Sequence, residues 1–257
     1  MKILILSIYS DNESYYKKML EIQRKYVHNY ENVDYYFLYS NFEHNEPVFI
    51  EKDMIFVRQE ENRFTILNKS LQAIETLFNL YGKDYDFIIR TNISTLIHIP
   101  KMLELLAPYK YNPVHTDLIN TKLEYLYAGD ICDIDIDNIK DIKFALGTAI
   151  IMSKQLAKQM ISRINDFDHS LPDDVAIGLF VQKYNPNAFD NNLKIGSDVF
   201  YLNYLNNGWN STTSDFIYYM TQKYNKNPPF IFYRNKTSNR EEDVNIMNYI
   251  CDNILLN

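Results

Sequence analysis

Two periodicities alternate along the first ninety or so residues. Lys2–Ile8 and Val33–Tyr39 are apolar runs of strand length, and Met54–Val57 is a shorter one. Between the first two, Glu13–Tyr30 sets apolar residues at helical spacing behind an Asp/Asn start. Phe64–Tyr81 carries Phe64, Leu67, Leu71, Ile74, Leu77 and Phe78 on one stripe, and Gly82 closes it. Asp86–Arg90 then returns to an apolar run bounded by polar residues, the pattern of a strand buried on both faces. The order β-α-β-β-α-β predicts an α/β fold whose central sheet is mainly parallel, with right-handed crossovers and flanking helices.

The second half is less regular. A short helix is predicted over Pro100–Leu106, with Pro in its first turn. Strand-like pieces follow at Val114–Ile119 and Glu124–Tyr127. Phe144–Met152 reads as one strand interrupted by Gly147, and Ser153 as the cap of a helix running to about Ile164. A helix fits Asp173–Gln182, a last strand Pro228–Tyr233, and a final helix about Glu241–Ile254. Repeats, Gly/Ser linkers and low-complexity tails are absent. The expectation is a single domain over residues 1–257, with a nucleotide-sugar-binding half (1–95) and an acceptor-binding half (96–257).

At 257 residues, one α/β domain buries roughly 70–75% of the unfolded chain's surface, so it needs no covalent staples. The two cysteines, Cys132 and Cys251, make neither a disulfide framework nor a zinc spacing. No run approaches the ~18 apolar residues of a membrane span. Met1–Ile8 is too short for a signal peptide's apolar core and is followed by Asp11, Asn12 and Glu13 rather than a cleavage site. A cytoplasmic protein is expected. The net charge of −7 disfavours nucleic acid as a partner. An anionic ligand must therefore be met by a local group of Arg and Lys.

Four local patterns carry the candidate chemistry. Phe64-Thr-Ile-Leu-Asn-Lys-Ser70 begins a helix, and Tyr85-Asp-Phe-Ile-Ile-Arg-Thr-Asn-Ile-Ser94 ends a strand. Phe144-Ala-Leu-Gly-Thr-Ala-Ile-Ile-Met-Ser153 contains an internal Gly, and Leu171-Pro-Asp-Asp-Val-Ala-Ile-Gly178 sets adjacent carboxylates at a helix start. In that order they resemble the Fringe-like β-1,3-glycosyltransferases, which adopt the GT-A fold. The likeness spans roughly residues 1–180. The family's central strand ends Lys-Thr-Asp-Asp-Asp where this chain has Arg90-Thr91-Asn92-Ile93-Ser94, so its metal-binding Asp-x-Asp is degenerate here.

The resemblance implies an inverting glycosyltransferase. Its partners would be a nucleotide-sugar donor, expected to be a UDP-sugar, and a glycan or glycoconjugate acceptor. One carboxylate would take the proton of the attacking hydroxyl. By similarity that base is Asp174, with Asp173 the alternate, while a simple helix cap is the competing reading of the pair. Base and ribose are expected near Ser7, Tyr9 and Asn92. Thr91 and Ser94 add polar groups beside Arg90 at the strand end. Asn92 and Ser94 supply no negative charge, so metal affinity falls, and a metal-independent or weakly Mn²⁺- or Mg²⁺-dependent site is expected. The diphosphate's charge would then be met by Arg63, Lys69, Arg234, Lys236 and Arg240; a solvated basic loop is the rival reading of the last three. Gly147 and Thr148 are placed toward acceptor or sugar, with core packing the competing reading for Gly147. Trp209 is a candidate for stacking on a sugar face, or else a buried anchor.

Asp133-Ile-Asp-Ile-Asp137 holds two overlapping Asp-x-Asp patterns, but lies in an acidic stretch that reads as a loop or edge strand. It lacks the Gly and Glu of a calcium-binding EF-hand loop. The five histidines show no ligand spacing. Two rivals to the enzyme stand: a noncatalytic glycan- or protein-binding module on the same scaffold, and a sugar nucleotidyltransferase. Tyr9-Ser-Asp-Asn-Glu13 has no glycine-rich loop to favour the latter.

Overall fold

The computed structural model describes residues 1–111, 124–136, 139–190, 193, 195, 198–202, 212–225 and 227–256. In chain order these form β1 (Ile3–Ile8), α1 (Ser14–Val27), β2 (Val33–Ser40), β3 (Val48–Glu51), β4 (Met54–Val57) and α2 (Ile66–Asn79). Then come β5 (Phe87–Asn92), β6 (Thr95–Ile97), α3 (Ile99–Tyr111), β7 (Tyr127–Ala128), β8 (Ile131–Ile136), β9 (Ile139–Ala145) and β10 (Ala149–Ser153). The chain closes with α4 (Lys154–Ser162), α5 (Asp173–Tyr184), β11 (Val199–Leu202), α6 (Thr213–Tyr224), β12 (Phe232–Asn235) and α7 (Arg240–Ile250). These elements cluster into two compact units. The first comprises Met1–Ile8, Asn32–Asn92 and Ala107–Gly196; the second Tyr9–Glu31, Ile93–Leu106 and Ser197–Asn257.

The first unit is an α/β layer structure around a seven-stranded sheet of order β3-β4-β2-β1-β5-β10-β7. Parallel pairing is confined to the central four strands, β4-β2-β1-β5. The edges, β3 on one side and β10 with β7 on the other, run antiparallel. All six residues of β1 are buried, and all of β5 except Asn92. That is the condition of strands covered on both faces, and it explains their unbroken apolar runs. The stripe of α2 (Leu67, Leu71, Ile74, Leu77) joins Leu4, Leu6, Ile88 and Ile150 in one core cluster. Each such side chain contributes about 1.5–3 kcal/mol on burial. Ser153 caps α4 by accepting from the Leu156 amide.

Phe144–Met152 is not one strand. β9 pairs antiparallel with β8 in a separate hairpin, while β10 enters the main sheet beside β5. Between them the Ala149 amide bonds to the Leu146 carbonyl and closes a turn, so Gly147 lies in a turn rather than within a strand. Helix α5 packs on β9 at Gly178, where a Cβ would stand 2.4 Å from the Lys143 carbonyl oxygen.

The second unit holds a three-stranded sheet of order β11-β12-β6 with α1 packed on α7. Buried Gln23 on α1 donates to the carbonyls of Ile93 and Thr95, and the Tyr26 hydroxyl accepts from the Ile99 amide. These bonds satisfy backbone groups flanking β6, a strand too short to announce itself in sequence. Helix α7 is capped by Asn239, and Glu241, Glu242 and Asp243 in its first turn suit the dipole. The expected last strand, Pro228–Tyr233, is displaced toward the carboxyl end as β12; α6 carries no clear sequence signal beyond Thr212, which caps it. Val114–Ile119 lies outside the described residues. Among the described residues no helix is long and apolar enough to cross a membrane.

Candidate active site

Strand β5 ends beside β1, with Thr91 opposite Ser7 and Asn92 opposite Ile8. Side chains alternate along a strand, so Arg90 and Asn92 share one face and Thr91 takes the other. All three reach the turn between β9 and β10. Arg90 Nη1 and Asn92 Nδ2 each donate to the Gly147 carbonyl oxygen at 2.5 Å, and Thr91 Oγ1 donates to the Thr148 carbonyl at 2.7 Å. Arg90 is only 3% exposed, and its Nη2 lies 2.7 Å from Asp173 Oδ2. Its Nε has no hydrogen-bond partner among the described residues.

The two aspartates at the start of α5 have separate tasks. Asp173 is buried against Arg90; burial pushes its carboxyl above the usual range, and Arg90 pulls back. Asp174 is half-buried. Its Oδ1 accepts from the Val175 amide at 3.0 Å and its Oδ2 from the Gly147 amide at 3.2 Å. The residue named as helix cap, Pro172, has no side-chain hydrogen bond to give. Each Asp174 oxygen retains a lone pair beyond these bonds, so the carboxylate can accept a further proton donor.

Lys69 on α2 belongs to the same unit. It is wholly buried, with Nζ 2.7 Å from Glu61 Oε2, and Glu61 also accepts from the Ser40 amide. Burial lowers the Lys69 ammonium's pKa, Glu61 opposes this, and the charges of Arg90 and Asp173 are also felt there. Ser7 is fully buried at the end of β1. Arg63 is exposed and lies over the Phe64 ring, 4.5 Å from its centroid.

The remaining candidates fall in the second unit. Arg234 on β12 donates to the hydroxyl of Ser94, and to Thr95 Oγ1 at 3.4 Å. Arg240 is bound to Asp243 and to the Asn235 carbonyl, and packs over the rings of Tyr15 and Tyr16. Lys236 is exposed between these two arginines in sequence; repulsion from Arg234, then burial and Arg240, lower its pKa. Tyr9 is buried. Trp209 lies outside the described residues.

A divalent cation wants anionic oxygens. Here Asn92 presents its amide nitrogen to Gly147, and the Ser94 hydroxyl accepts from a guanidinium. The residues at the degenerate motif therefore do not fit a metal. No group of three His, Cys, Asp or Glu stands together among the described residues. Asp133 and Asp135 lie on β8, the edge strand, and Asp137 is outside the described residues.

The sequence brought out the residues of the first cluster, except Glu61. That glutamate sits eight positions before its partner Lys69, with no periodic relation to betray the pairing. Asp243, buried and gripping Thr237 as well as Arg240, was also missed; its spacing of three from Arg240 on a helix is the available signal.

No protein-family model matches the chain, and no curated protein does. Among solved structures it is similar to a glycosyltransferase involved in the glycosylation of the major capsid of PBCV-1. That match has 14% identity and a TM-score of 0.44, and covers 96% of this chain and 98% of that one. It is also similar to the glycosyltransferase GlyE in Streptococcus pneumoniae TIGR4, in the apo form. There the identity is 10% and the TM-score 0.40, covering all of this chain and 62% of GlyE.

Proposed function

We propose that this chain is an inverting glycosyltransferase that moves a sugar from a nucleotide-sugar, expected to be a UDP-sugar, to a hydroxyl of a glycan or glycoconjugate. The observation that carries this reading is convergence. Four patterns separated by up to about a hundred residues, and singled out for their resemblance to one family, meet in the first unit. Arg90 pairs with Asp173, Asn92 and Thr91 hold the Gly147–Thr148 turn, Gly147 bonds Asp174, and Lys69 is close enough to feel Arg90 and Asp173.

In this scheme the acceptor hydroxyl approaches Asp174, which takes its proton as the oxygen attacks the anomeric carbon. The bond from that carbon to the diphosphate breaks on the opposite face, and its electron pair leaves with the nucleoside diphosphate. The contact of Asp173 with Arg90 favours Asp174 over Asp173 in that role. The reaction is proposed to run without a divalent metal. Arg234 and Lys236 carry a separate proposal, that they bind the donor's anionic groups; alanine at either then weakens donor affinity. Arg240 is paired with Asp243, so its contribution to that set is proposed to be smaller.

The test is a thermal-shift panel of UDP-glucose, UDP-galactose, UDP-N-acetylglucosamine and GDP-mannose, with Mn²⁺ and with EDTA. A shift that survives EDTA supports the reading; no shift with any nucleotide-sugar points to a binding module. With the donor in hand, Asp174→Asn is expected to cut transfer by about 10²–10⁴-fold while leaving donor binding in place. Transfer that survives this change refutes Asp174 as base.

A further inference from the structure

The Gly147 residue is held from both ends. Its carbonyl oxygen accepts from Arg90 Nη1 and Asn92 Nδ2, and its amide donates to Asp174 Oδ2. We propose that Arg90 and Asn92 are positioning residues which clamp the Gly147 carbonyl and thereby aim the Asp174 carboxylate, so that asparagine at 92 is a requirement of the clamp and not the residue of a decayed metal site. This deepens the transferase reading of the same site and rests on it for the role of Asp174.

The chemistry at position 92 is asymmetric. A carbonyl oxygen needs a donor, and an amide nitrogen is one; an ionised carboxylate offers only acceptors. Aspartate at 92 would set an anionic oxygen against the Gly147 oxygen across the 2.5 Å that now holds a hydrogen bond. The family's acidic motif and this turn are therefore incompatible at that residue.

Position 147 is constrained in the same sense. A Cβ there would stand 2.7 Å from Arg90 Nη1 and 3.3 Å from Asp174 Oδ2, so a larger residue would have to displace the guanidinium and crowd the carboxylate. Arg90 also pairs with Asp173, the neighbour of Asp174, and so ties the start of α5 directly to the strand end. Thr91 adds a third bond to the same turn from the opposite face. The clamp stands on β5, which is hydrogen-bonded on both sides, to β1 and to β10, and such a strand is a rigid base for positioning.

The experiment uses the full chain with Asn92→Asp, Asn92→Leu and Arg90→Lys. Hydrogen exchange at the Gly147 and Ala149 amides, which are hydrogen-bonded in the turn, is expected to quicken about tenfold or more in both position-92 variants, as local opening becomes easier. Calorimetric titration with Mn²⁺ alone is expected to show no saturable binding to Asn92→Asp. Neither arm needs a sugar donor, so both stand if the transferase reading fails. In UDP release from UDP-glucose or UDP-galactose, Asn92→Leu is expected to lower kcat about tenfold with the donor KM within about threefold. Arg90→Lys, which keeps one donor, is expected to fall between wild type and Asn92→Leu. Unchanged exchange at the turn overturns the clamp. Saturable Mn²⁺ binding by Asn92→Asp with the turn still protected makes position 92 a lost metal ligand instead. Because Asn92 is only half-buried, its variants decide the matter even where an Arg90 variant fails to fold.

Discussion

The strand-end cluster of the first unit and the basic loop of the second both gather arginine, and they differ in how much positive charge is left exposed beside it. Arg90 is 3% exposed and spends its guanidinium on Asp173 and a backbone carbonyl. At the β12–α7 loop, Arg234, Lys236 and Arg240 fall within seven residues, and Lys236 stays exposed with its charge disfavoured by the arginines. Charge in the first region is balanced and committed, which suits fixing geometry. Excess positive charge at an exposed lysine suits meeting an anion. Counting cations in the sequence put both regions in one list, and only burial separates them.

The sharpest way to break the contrast is to remove the buried guanidinium. Arg90→Met leaves Asp173 buried without its partner, and a loss of about 3–5 kcal/mol is expected in urea unfolding at neutral pH. Burial already raises the Asp173 carboxyl above its ordinary 3.8, so in the window just above that value the folded state holds the proton more tightly than the unfolded chain. Removing Arg90 raises that carboxyl further. The deficit of Arg90→Met should therefore shrink as pH falls toward 4 and grow as pH rises. Adding Asp173→Leu should restore more than half of the stability, because a paired apolar replacement leaves no orphaned charge.

A smaller effect is expected at Gly147→Ala, whose new methyl meets a guanidinium that cannot swing away without leaving Asp173. About 1–3 kcal/mol should be lost, read by thermal or urea unfolding. Smallest of all is Lys236→Ala. Its charge is disfavoured in the fold, so relief of repulsion should give a gain below about 0.5 kcal/mol after solvent screening, fading at high salt. The wild-type cost should likewise be relieved as pH rises toward 10.5, the ordinary lysine value. A large loss at Lys236→Ala would mean that the exposed loop is structural after all.

What was legible in the sequence follows from periodicity. Strands β1 and β4 were placed almost to the residue and helix α2 to within two residues at each end, because apolar runs and stripes report burial directly. The turn at Leu146–Thr148 was not, since its flanks are both apolar and hydrophobicity cannot distinguish one strand from two that diverge into different sheets. β6, at three residues, is shorter than any window that measures alternation, and β3 has no buried residue to mark it, unlike β4 of the same length. The site shows the same division. Asp173 and Asp174 stood out as a pair, yet which of them is buried against Arg90 depends on tertiary contact that no spacing encodes.

Strand β8 pairs only with β9 among the described residues. Ile131 and Ile134 are each 41% exposed along it, a combination that invites a second chain to add its own strand. Asp133 and Asp135 interrupt those isoleucines, so an incoming copy would bring carboxylates against carboxylates. The acidic stretch that resembles a metal motif thus sets like charges along an exposed hairpin strand, and neutralising those two aspartates would be expected to make that strand more prone to pair with a second copy.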